Sequence, residues 1–118
     1  MFSYKALILS VYDGDTVTAK IDLGFDIWVR KKLRLQGINT AEIRTKDLDE
    51  KRAAYEARDF VRDRILDKTV MVKTGKTGKY GRYIATIFEY DQDGELREQS
   101  LNDELLETGL AKPYGEKW

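Results

Sequence analysis

From Thr16 to Leu35 apolar and polar residues alternate over two successive runs, a period-two pattern that fits a half-buried sheet and not a helix. Val17, Ala19, Ile21 and Leu23 share one face, and Gly24 closes a hairpin. On the return, Phe25 to Leu35 sets Phe25, Ile27, Val29, Leu33 and Leu35 against Trp28, Arg30, Lys32 and Arg34. Tyr4 to Tyr12 reads as an earlier strand with Leu7, Leu9 and Val11 on one face, ended by Asp13-Gly14-Asp15. Three long antiparallel strands in succession coil, and closing them into a barrel removes their exposed edges.

The remaining chain supplies what such a barrel needs. Asp47 or Asp49 can cap a helix running to about Leu66, with Ala53, Ala57, Phe60, Val61 and Ile65 on its buried stripe. Thr69 to Thr74 is a fourth strand, and a glycine and lysine loop separates it from a fifth, Arg82 to Tyr90, which turns at Asp91 to Gly94. Ser100-x-x-Asp103 opens a short second helix that stops at Gly109. Five strands, with one helix between the third and fourth and a short C-terminal helix, predict an α+β, mainly β, oligonucleotide-binding (OB) barrel. At 118 residues, positions 1–118 are expected to form one domain burying roughly two-thirds of the surface of the unfolded chain. Trp28 and Trp118 are read as packing residues and not as stacking platforms.

Composition narrows the chemistry. The chain has no histidine and no cysteine, which excludes histidine general bases, His-based metal nucleases and thiol chemistry, and leaves carboxylates, arginines and tyrosines. Lys plus Arg and Asp plus Glu number 21 each, so attraction of a polyanion must come from local clustering. The short apolar run at the amino terminus lacks a basic leader and a small-residue cleavage site, so it reads as a strand, and no segment has the length of a membrane span. A cytoplasmic protein that acts as a monomer is expected.

One stretch concentrates chemistry: LRLQGINTAE, residues 33–42. Leu33 and Leu35 face the core, so Arg34 points outward. Gly37 permits a sharp turn, and Asn39, Thr40 and Glu42 follow within a short loop. Oxygen ligands and an acid beside a guanidinium suit a phosphate ester, which needs donors and positive charge on several sides. With Asp13 and Asp15, the loop pair offers carboxylate and carbonyl oxygens of the kind a hard cation takes. The GKTGKYGR run lacks the Walker spacing and does not enter a helix, so it reads as a connection that contacts phosphate at its end.

Four runs in order, VYDGDTVTAKID, LRLQGINTAEIR, GKYGRYIATIF and LNDELLETGLAKPY, resemble the motif blocks of the staphylococcal nuclease-like (thermonuclease) family from about Leu9 to Tyr114. The resemblance implies an OB barrel and a calcium-dependent phosphodiesterase that cuts single-stranded DNA or RNA and leaves a 3′-phosphate. It implies Asp15, Asn39 and Thr40 as calcium ligands, Glu42 as the acid that activates water, and Arg34 and Arg82 as the arginines on the phosphate. Lys79, Tyr80 and Tyr114 would contact the nucleotide. The alternative is a catalytically weak or silent OB module that binds nucleic acid or a protein partner. Such modules generally lose the acid or an arginine, and this chain keeps Asp15, Arg34, Glu42 and Arg82.

Two positions depart from the family pattern, which has aspartate where Asn39 stands and proline where Ala41 stands. An amide oxygen still ligates calcium, but one formal negative charge is gone. Weaker calcium binding with the chemistry retained is the expectation.

Overall fold

The computed structural model describes residues 2–77 and 82–118. Its elements in chain order are β1 (Phe2–Asp13), β2 (Thr16–Asp22), β3 (Trp28–Leu35), β4 (Ile38–Asn39), α1 (Leu48–Ile65), β5 (Thr69–Thr77), β6 (Tyr83–Phe88), α2 (Leu101–Glu107) and β7 (Lys112–Pro113). The five longer strands close into a barrel in the order β1-β2-β3-β6-β5, with β5 pairing back onto β1. β3 and β6 run parallel, and the other barrel neighbours run antiparallel. With α1 inserted between the third and fourth barrel strands, this is the OB fold expected from the strand pattern.

β1 corrects the expected face. Its buried apolar residues are Ala6, Ile8 and Val11, while Leu7 and Leu9 are half-buried. The strand pairs with β5 through its first half and with β2 through its second, and its register against β2 slips between Ile8 and Ser10 and again between Val11 and Asp13. Each extra residue bends the strand and exchanges its faces, which lets one strand serve both sides of a closed barrel. The same slips turn Asp13 inward, where it is 8% exposed.

β3 is shorter than the apolar alternation predicts. Gly24, Phe25 and Asp26 all have positive φ (83°, 55° and 60°), and the loop is closed by Leu23 N–H on the Ile27 carbonyl (2.9 Å) and Ile27 N–H on that of Gly24 (3.0 Å). Phe25 is therefore 98% exposed and Ile27 54% exposed, although both match the core pattern. Two non-glycine residues in the left-handed region cost roughly 1 kcal/mol or more each. Trp28 is not a packing residue. It lies 46% exposed on the outer face, with Lys20 Nζ 5.1 Å from its ring centroid.

On α1 the Asp47 carboxylate accepts from Asp49 N–H (2.9 Å) and Glu50 N–H (3.2 Å), as a cap should. The buried stripe is Ala54, Ala57, Val61 and Ile65, so Ala54 takes the place assigned to Ala53, and Phe60 lies half-buried at the margin. Ser100 caps α2, and Gly109 follows it with φ 78°.

An ion cluster joins α1 to the segment after β6 and to α2. Arg64 donates to both Glu89 oxygens (2.8 and 3.1 Å) and both Glu104 oxygens (each 2.7 Å), with Arg97 3.5 and 3.6 Å from the same acids. These side chains are mostly out of water, so removing Arg64 leaves two acids facing one weaker cation. Arg64→Met is expected to cost about 2–3 kcal/mol in urea unfolding at neutral pH. The hydrogen bond and charge of Arg64 also lower the Glu104 pKa below its ordinary 4.5. Since the folded pKa is depressed, this contribution is complete above about pH 4.5 and is lost as pH falls through the lower folded value. A urea series through that acid range should be flatter for Arg64→Met than for the parent.

Candidate active site

Three segments meet at the mouth of the barrel. Where β1 gives way to β2, Asp15 N–H donates to Asp13 Oδ1 (3.1 Å), which holds the two acids together in a tight turn. Gly14 between them is required by space. A Cβ there would lie 2.7 Å from Thr40 Cγ2 and 2.8 Å from Ala57 Cβ, so only glycine lets the Thr40 loop and α1 both close on the turn.

Asp15 then fastens the segments to one another. Its carbonyl accepts from Leu35 N–H (2.9 Å), its Oδ1 from the Thr16 hydroxyl (3.0 Å) and its Oδ2 from Thr40 N–H (3.1 Å). Arg34 Nη2 stands 3.4 Å from the same Oδ2, while Arg34 Nη1 donates to the Leu35 carbonyl (3.0 Å). On the far side, Arg82 Nη1 donates to Thr16 Oγ1 (3.4 Å). Both guanidiniums are thus anchored within one residue of Asp15.

The loop after β3 is strapped by the C-terminal segment. Gly37 turns it with φ 79°, β4 pairs with β7, and Tyr114 N–H donates to the Gly37 carbonyl (3.0 Å). Asn39 Nδ2 donates to the Glu116 carbonyl (3.0 Å), and the Trp118 indole N–H donates to the Asn39 carbonyl (2.8 Å). Buried Asn102, on α2, adds a second tie that the sequence reading missed. Its amide donates to the carbonyls of Gln36 (2.9 Å) and Ala85 (3.1 Å), and its oxygen accepts from Ile87 N–H (3.1 Å), so the ends of β3 and β6 are held in register. The available signal was a polar residue on the buried face of a short helix.

Asp13, Asp15, Arg34, Asn39, Glu42 and Arg82 all line one open cleft of about 690 Å³. Thr40 lies beneath it, 2% exposed. Tyr114 is 69% exposed and does not line the cleft, and Lys79 and Tyr80 fall outside the described residues. Lys32 and Arg44, which the sequence reading passed over, do line it. Lys32 was detectable as the next outward position before Arg34. Among the described residues the wall therefore carries the cations Lys32, Arg34, Arg44 and Arg82 against the acids Asp13, Asp15 and Glu42. Burial pushes the Asp13 carboxyl up to about 7, helped by the hydrogen bond and charge of Asp15.

The donor chemistry suits a hard cation. Two buried carboxylates sit side by side, and the Thr40 hydroxyl is buried without a partner among the described residues. All the acceptors nearby are oxygen. Among the described residues no group of three or more acidic, histidine or cysteine side chains comes together, so the set is lean in charge.

A family model described as staphylococcal nuclease homologue matches residues 32–117. That span takes in Arg34, Asn39, Thr40, Glu42 and Arg82 but not Asp15, which joins them through the contacts above. A search of the curated proteins finds no match to the chain. No helix among the described residues is long and apolar enough to cross a membrane.

Proposed function

The chain belongs to the staphylococcal nuclease homologue family, and from that premise we propose that its cleft hydrolyses phosphodiester bonds of single-stranded DNA or RNA with calcium as cofactor. The observation that carries this reading is the convergence of Asp15, Arg34, Glu42 and Arg82, from separate stretches of chain, on one cleft. Asp15, the Thr40 carbonyl and the Asn39 amide oxygen would hold the ion. When bound, it supplies Lewis-acid polarisation of the phosphoryl oxygen and helps to orient water.

The rest of the chemistry falls to side chains. Glu42 is exposed at the cleft wall, and as carboxylate it takes a proton from the attacking water while the new bond from oxygen to phosphorus forms. The opposite phosphorus–oxygen bond breaks, and the leaving alkoxide takes its proton from solvent. Arg34 and Arg82 donate N–H bonds to the phosphoryl oxygens, whose charge grows in the transition state, so both stabilise that state more than the bound substrate.

Labelled single-stranded DNA and RNA, each incubated with calcium or with a chelator, test the proposal. Cleavage that requires calcium supports it, and binding without cutting in calcium identifies a silent binding module. Cutting with magnesium or manganese but not calcium rejects the choice of metal.

Asn39→Asp is expected to do two things at once. It adds a carboxylate to the ion site, lowering the calcium midpoint of cleavage roughly tenfold. It also removes the donor to the Glu116 carbonyl, which should cost about 1–2 kcal/mol of stability without calcium. A calcium titration of cleavage beside thermal unfolding in chelator reads both, and an unchanged midpoint rejects Asn39 as a ligand.

A further inference from the structure

We infer that the end of the β2–β3 hairpin is a membrane-docking tip, which seats Leu23, Phe25, Ile27 and Trp28 in the surface of an anionic bilayer without crossing it. The inference is independent of the proposed reaction and uses no residue of the cleft. Four of the ten large apolar side chains exposed among the described residues fall within these six positions, and Phe25 is almost wholly in water. None of the four lines the cleft.

The pairing makes this end an arm. β2 pairs with β1 only as far as Ile21, and β3 pairs with β6 only over Leu33–Leu35, so beyond these points the two strands have only each other among the described residues. At the apex Gly24, Phe25 and Asp26 run consecutively through positive φ, fixed by the two backbone hydrogen bonds between Leu23, Gly24 and Ile27. A phenylalanine held in the left-handed region and left without cover is strain that the packing of the chain does not offset. A cover from outside the chain accounts for it.

Charge and area select that cover. From Lys20 to Lys32 there are four cations (Lys20, Arg30, Lys31, Lys32) and two acids (Asp22, Asp26), a surplus of two in a chain whose total is zero. Lys20, Arg30 and Lys31 are exposed, and among the described residues no carboxylate pairs with them. Asp22 is occupied in the turn, where its Oδ1 accepts from Gly24 N–H (2.8 Å). Lys20 and Arg30 stand opposite one another, one outward step, about 7 Å, behind Asp22 and Trp28. That spacing suits an apolar end sunk about 5–10 Å into a bilayer, with Trp28 at the depth of the headgroups and the cations on anionic ones.

The four apolar side chains expose on the order of 400 Å², about half of the ~800 Å² that each partner of a stable protein complex covers. A second copy of the chain would need more surface than the tip has, whereas a bilayer needs only insertion and charge together. Arg34 lies about 20 Å along β3 from Trp28, so docking by the tip leaves the cleft open.

Co-sedimentation with vesicles, in chelator so that calcium cannot bridge protein and lipid, reads the docking. Vesicles of phosphatidylcholine with phosphatidylserine should bind the parent roughly tenfold or more tightly than phosphatidylcholine alone, and added salt should release it. Phe25→Asn should weaken this binding roughly tenfold while thermal unfolding stays level or rises, because asparagine accepts a positive φ. Lys20→Gln/Arg30→Gln should weaken it roughly twentyfold, at about fivefold per cation. Asp26 is exposed at the apex and opposes docking, so Asp26→Asn should tighten binding by about fivefold. Arg52→Gln/Lys68→Gln, two exposed cations outside the hairpin, should match the parent. Failure to bind the mixed vesicles, equal affinity for the two kinds, parent-like binding by Phe25→Asn, an equal loss in the control pair, or a dimer in solution that Phe25→Asn dissolves overturns the inference.

Discussion

Glu42→Gln is expected to slow cleavage of single-stranded DNA in saturating calcium by roughly a thousandfold, about 4 kcal/mol of barrier, with little change in oligonucleotide binding. Glutamine keeps the shape and one acceptor but cannot take the proton of water. The side chain is exposed at the cleft wall and, among the described residues, makes no hydrogen bond that holds the fold, so the variant should unfold with the parent. The contrast that matters lies within one preparation: rate lost, binding and stability kept. A variant that cuts within about threefold of the parent would show that the proton goes elsewhere.

Arg34→Gln should cost a few hundredfold, about 3–4 kcal/mol of barrier, as expected for one donor lost from a transition state rich in charge. Its signature differs from that of Glu42, because Arg34 also stands 3.4 Å from Asp15 Oδ2. Taking the guanidinium away leaves that carboxylate without its cationic neighbour, so calcium should bind at least as tightly as before. The expected pattern is a large fall in rate with a calcium midpoint that is unchanged or lower. Arg34→Lys should recover only part of the loss, since an ammonium cannot present two parallel donors to a phosphate. A midpoint that rises would mean that Arg34 serves mainly to order the ion site.

Local patterns made most of this readable before the fold was known, and long-range contacts explain what was not. Asp47, Ser100 and Gly109 act within a few residues of themselves, so the helix ends followed from sequence. The face of β1 did not, because its bulges answer to two partners, β2 and β5, that sequence spacing cannot see. Phe25, Ile27 and Trp28 carry core-type side chains into a loop and onto an outer face, where the turn geometry at Gly24 to Asp26 overrides hydrophobicity. Within the cleft, Asp15, Arg34, Glu42 and Arg82 were legible through ordered motifs. The strap from Glu116 and Trp118 to Asn39, 77 and 79 residues away, was not.

The same distinction separates the two loop residues given an ion-binding role. Thr40 is held from within the site, through its N–H on Asp15. Asn39 is held from outside it, by the C-terminal segment. An aspartate at 39 would lack the donor that makes that tie, which gives a physical reason for an amide here beyond the charge of the ion site.

The central claim is that Arg34 and Glu42 act on one phosphate, and a double-mutant cycle on single-turnover cleavage addresses it most directly. If both serve one transition state, Arg34→Gln/Glu42→Gln should be slower than the slower single variant by less than about tenfold, because groups that act as a unit are not additive. Full multiplication of the two losses, to roughly a hundred-thousandfold, would mean that the two residues act independently, and would contradict the account.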